Sequence, residues 1–88
     1  MKQEKLINAP YAQAHIERTN NRIALISYTT KVAEIVGGVL MVYGLYSMTT
    51  RRHIGTFARQ FGADFAIAKK CYTDNIGYDI ITKEYVAL

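Results

Sequence analysis

From residue 22 the chain settles into the short alternation of a half-buried sheet. Ile23, Leu25 and Ser27 alternate with Ala24, Ile26 and Tyr28, a bend is expected at Thr29-Thr30, and β-branched residues resume over 32–36. Gly37-Gly38 separates Val36 from Val39, which predicts a two-residue hairpin loop at positive φ, with Ile35 opposite Leu40 and Ala33 opposite Val42. Beyond Tyr46 the period changes. Ile54, Phe57, Ala58 and Phe61 recur at helical spacing, so a helix is expected over 50–61, capped by Thr49 or Ser47 and ended by Gly62. Residues 63–72 predict a second helix with Phe65, Ala68 and Tyr72 on one side, and Asp74 to Gly77 read as a turn. The tail 78–88, rich in Tyr, Ile and Val, predicts one last strand. Residues 1–21 are expected to form an N-terminal arm with a short helix over 10–18, Pro10 in its first turn and Thr19-Asn20-Asn21 at its end.

The sum is an α+β domain: a small antiparallel sheet built on the Gly37-Gly38 hairpin and packed against one or two helices. Its parts are the arm (1–21), a β-hairpin region (22–46), a helical region (49–72) and a C-terminal strand (78–88). At 88 residues and 10.0 kDa the chain has material for one modest core. The uncharged run over 35–50 is shorter than the roughly 20 residues of a membrane span, and its glycines fit the buried hairpin better. No signal peptide is expected, because residues 6–11 are too short and polar for its apolar region. The lone Cys71 cannot form an intrachain disulfide, so a cytoplasmic setting is the default.

Little in the sequence suggests catalysis. His15, His53 and Cys71 are spaced like no zinc site, the glycines form no phosphate loop, and neither metal nor cofactor is expected. The one nucleophile–base set worth naming is Ser47, His53 and Asp64, and Ser47 lacks the elbow that exposes a nucleophilic serine. A structural role suits His53 better: a hydrogen bond back to Tyr46 or Ser47 at the strand-to-helix corner. Asp74, Asp79 and Glu84 read as solvated surface acids. The expectation is a protein that is not an enzyme.

Charge changes this picture. Residues 49–70 hold Arg51, Arg52, Arg59, Lys69 and Lys70 against Asp64 alone, whereas the rest of the chain balances six basic with six acidic side chains, so the whole net charge of +4 lies in the helical region. Arg52 and Arg59 fall opposite the apolar stripe, with Gly55 and Thr56 between them, a basic face of low relief that a partner backbone could approach. Seven tyrosines are many for this length, and tyrosine is enriched at interfaces. Tyr28, Tyr43 and Tyr46 read equally as sheet-packing or partner-binding side chains. Tyr78 and Tyr85 point to an edge strand through which a second copy could pair.

The stretch over 25–62, through Ser27-Tyr28-Thr29-Thr30, Val32-Ala33 and Tyr46-Ser47-Met48-Thr49-Thr50 on to His53-Ile54 and Phe57, resembles small uncharacterised proteins encoded by bacteriophages and plasmids. That resemblance implies a mobile-element accessory protein in a bacterial cytoplasm. Proteins of this class often act by occupying a host enzyme or defence complex, as anti-CRISPR inhibitors do. The expected partner is therefore a host protein or nucleoprotein complex. The alternative is direct DNA or RNA binding through the basic helical face, and no membrane partner is expected.

Overall fold

The computed structural model describes the backbone of residues 2–5 and the whole of residues 14–88. Among the described residues seven strands form a single antiparallel sheet in which spatial order follows chain order: β1 (Lys2–Lys5), β2 (Ala14–Arg18), β3 (Arg22–Ser27), β4 (Thr30–Val36), β5 (Val39–Val42), β6 (Gly77–Asp79) and β7 (Glu84–Val86). Two helices, α1 (Met48–Gln60) and α2 (Phe65–Asp74), are inserted between β5 and β6 and pack on one side of the sheet. The architecture is the α+β fold expected from the sequence.

The Gly37-Gly38 loop closes β4 onto β5 with φ values of 57° and 84°, a region in which most side chains are strained. Its register sets Ile35 opposite Leu40 and Ala33 opposite Val42. Between β3 and β4 a bulge intervenes. Leu25 faces Ala33 but Ile26 faces Lys31, so Val32 is the extra residue, and the consecutive Val32 and Ala33 are both buried.

The core lies between the sheet and the helices. Ile16, Leu25, Ala33 and Val42 make one cross-strand row, and Ile35, Leu40 and Tyr78 make another. Ile54, Phe57, Ala58, Ala68 and Cys71 close over them in the same cluster. Phe57 is fully buried with its ring edge-on to Phe61 at 5.2 Å, so trimming it to alanine removes about 3–5 kcal/mol.

Two expectations at the ends of the chain are corrected. Ala14–Arg18 is a strand, because Ile16 is wholly buried opposite Leu25; residues 10–13 of the expected helix lie outside the described residues. The tail is a hairpin of two short strands. Asp79 Oδ1 accepts from the N–H groups of Ile81 (2.9 Å) and Thr82 (3.1 Å), and Lys83 turns the chain at φ 61°, which stops β6 after three residues.

Candidate nucleic-acid interface

The outer side of the helical layer is built by the amphipathicity of α1 and α2. While Ile54, Phe57, Ala58, Ala68 and Cys71 point to the sheet, Arg51, Arg52, Arg59, Lys69 and Lys70 are all exposed. Arg51, Arg52 and Lys69 make no ion pair among the described residues. Arg59 reaches back to Thr56 Oγ1 at 3.4 Å. Lys70 is engaged differently: its ammonium binds Asp74 Oδ2 at 2.8 Å, which holds its pKa above the ordinary lysine value, and lies 5.5 Å from the Tyr85 ring centroid. Gly55 does not open this face to a partner. It is buried, and the backbone is approached there by Phe65 of α2, so the close contact lies within the chain.

Of the two tyrosines expected at an edge, Tyr78 is buried and stacks edge-on to Tyr85 at 5.2 Å, which makes it a core side chain rather than a contact surface. Tyr85 is exposed, on the strand at the sheet's border. The two tyrosines most exposed among the described residues lie elsewhere, at the end of the sheet where the β3–β4 loop meets the start of α1. Tyr28 and Tyr46 stand there at 54 % and 65 % exposure, with Met48, close to Tyr46 in sequence, at 68 %. Both tyrosines have positive φ, 58° and 39°, which bulky residues seldom adopt.

A chain of hydroxyl groups holds this corner together. Ser47 is the residue that caps α1: its Oγ accepts from Thr50 N at 3.2 Å. It also lies 3.3 Å from Thr50 Oγ1, which is 3.2 Å from Ser27 Oγ. Ser27 Oγ in turn meets His53 Nδ1 at 2.9 Å, so the partner of His53 is on β3 and not at Tyr46 or Ser47 as expected. The Tyr28 ring leans on that imidazole, centroids 6.1 Å apart and tilted by 49°. The Tyr46 ring covers Gly44, where a Cβ would come within 2.6 Å of its Cζ. Each ring therefore makes a contact with the protein that bears on its position.

The set of Ser47, His53 and Asp64 is not assembled: Ser47 caps α1, Asp64 caps α2 by accepting from Ile67 N at 2.9 Å, and His53 serves Ser27. Ser27 and His53 are at nucleophile–base distance, yet they are 2 % and 3 % exposed and no carboxylate hydrogen-bonds to the imidazole among the described residues. The pair fastens α1 to β3. Burial lowers the His53 pKa and keeps the ring neutral.

Sequence reasoning passed over Glu34. It is buried on the sheet side away from the helices, with Arg22 Nε at 3.3 Å, Lys31 Nζ at 3.4 Å and a hydrogen bond from the Tyr43 hydroxyl. Its alternation with Ala33 and Ile35 was the available signal. Desolvation, followed by the Glu34 hydrogen bond, pushes the Tyr43 pKa up to about 12. At the opposite end of the sheet from the tyrosine corner, Ile23, Ile35, Phe61 and Ile80 floor a groove of about 380 Å³. Arg18 borders it with its guanidinium 5.6 Å from the Phe61 ring centroid. Among the described residues no cluster of His, Cys, Asp or Glu could hold a metal ion, and no helix is long and apolar enough to cross a membrane.

One family, described as a family of unknown function, matches residues 2–75. No curated protein and no solved structure matches the chain.

Proposed function

The chain belongs to that family, DUF8033, and we propose that it is a non-enzymatic binding protein of a mobile element, acting stoichiometrically on host nucleic-acid or defence machinery in the bacterial cytoplasm. The observation that carries this reading is the position of the charge. Arg51, Arg52, Arg59 and Lys69 are exposed on the outer side of one layer, and residues 49–70 of that layer carry a net charge of +4, equal to that of the whole chain. Nucleic-acid machinery presents phosphate or acidic surfaces, and each phosphate that a Lys or Arg neutralises adds salt-sensitive affinity.

A pull-down from bacterial lysate with and without nuclease, comparing wild type with Arg52→Glu/Arg59→Glu, tests the reading. A defined host complex should be held by wild type at low salt and lost with the double reversal. Equal capture by the two proteins would remove the helical layer from the function.

A second reading, direct binding of DNA or RNA by the same face, is favoured by the absence of ion-pair partners for Arg51, Arg52 and Lys69 among the described residues. Under this reading everything captured is released by nuclease.

A further inference from the structure

We propose that the corner carrying Tyr28 and Tyr46 is a stacking site for unpaired bases, so that the ligand of the adjoining basic face is single-stranded nucleic acid. This inference rests on the direct-binding reading. It begins from a conformational anomaly. Tyr28 and Tyr46 occupy positive φ, where glycine or asparagine would be cheaper by a margin on the order of 1 kcal/mol, and yet both positions carry large exposed rings. A strained backbone bearing a solvent-facing aromatic contributes nothing evident to the core. It does present a flat apolar surface in a fixed place.

The corner is built to hold that surface still. The hydroxyl chain from Ser27 through Thr50 to Ser47 joins the two segments that carry the tyrosines, so the rings emerge from neighbouring backbones. The His53 ring lies against Tyr28 at a tilt of 49°, and the absent side chain of Gly44 leaves the space that the Tyr46 ring covers. Arg51 and Arg52 follow directly on α1, both exposed, and Arg59 continues the Arg52 side two turns further on. Seated aromatic rings beside a line of cations are what a single strand needs: the bases stack on the rings and the phosphates run along the arginines. A duplex offers no free base face to the tyrosines and would meet the arginines alone.

Fluorescence anisotropy with labelled DNA and RNA oligonucleotides of about 16 nucleotides, the upper site size of single-strand modules, tests this in single-stranded and duplex form over a salt series. Asparagine is the chosen replacement because it tolerates positive φ, and thermal melts confirm that each variant is folded. Wild type should bind the single strand more tightly than the duplex. Tyr28→Asn and Tyr46→Asn should each weaken single-strand binding about fivefold or more with the salt slope retained, while Tyr28→Phe binds like wild type. Arg52→Glu/Arg59→Glu should weaken both forms and flatten the slope.

Asparagine variants that bind the single strand like wild type, while the arginine reversal abolishes binding, would overturn the stacking site and leave the basic face in place. Wild type that prefers the duplex would do the same. If the arginine reversal also changes nothing, or no oligonucleotide binds at low salt, direct binding falls and the stacking site falls with it.

Discussion

His53 joins two parts of the chain that lie 26 residues apart, and its protonation state is tied to that role. The folded protein keeps the ring neutral by burial, so its pKa lies below the 6.5 that the unfolded chain restores. The unfolded state therefore binds more protons. Stability should be complete above about pH 6.5 and decline as pH falls through that value towards the lower folded pKa. Urea denaturation between pH 7.5 and pH 5, spanning the value at which unfolded histidine titrates, should show this decline in wild type and a flatter profile in His53→Gln. The sequence placed His53 near the corner but not on its partner. Nothing in a linear pattern says that a serine ending one strand will lie over the second turn of a helix begun two strands later. Gly44 is a second residue whose purpose appeared only in three dimensions. Gly44→Ala should displace the exposed Tyr46 ring at little cost in stability, since a surface ring can swing away, and the quantum yield or anisotropy of tyrosine emission should register the freed ring.

Among the elements, those whose determinants are local were legible in advance. Two consecutive glycines at positive φ specify a hairpin and its register, and the recurrence of Ile54, Phe57 and Ala58 specifies the buried side of α1. β2 was not legible, because in Ala14–Arg18 only Ile16 is strongly apolar and its place in the core is decided by Leu25 on the next strand. The last hairpin was missed for the converse reason: Asp79 looks like any surface acid, and its carboxylate captures two backbone N–H groups to turn the chain. The start of α1 is likewise decided by a side chain. Ser47→Ala removes the acceptor for Thr50 N and loosens the hydroxyl chain, and should cost about 1 kcal/mol in chemical denaturation.

At the scale of the whole molecule, charge and core occupy different sides of the same two helices. Reversing Arg52, Arg59 and Lys69 together would carry the net charge from +4 to −2. Each of the three is exposed, so each substitution should alter stability by no more than about 0.5 kcal/mol, which a thermal melt will check. Under the binding proposed above, such a triple variant should fold and yet no longer hold an anionic partner. The meander makes this separation possible, since among the described residues every strand pairs with its chain neighbour and the two helices lie in the passage from β5 to β6. The consequence is evolutionary. The outward positions of α1 and α2 form an alphabet that selection can rewrite, while the strand ladder beneath keeps its spelling.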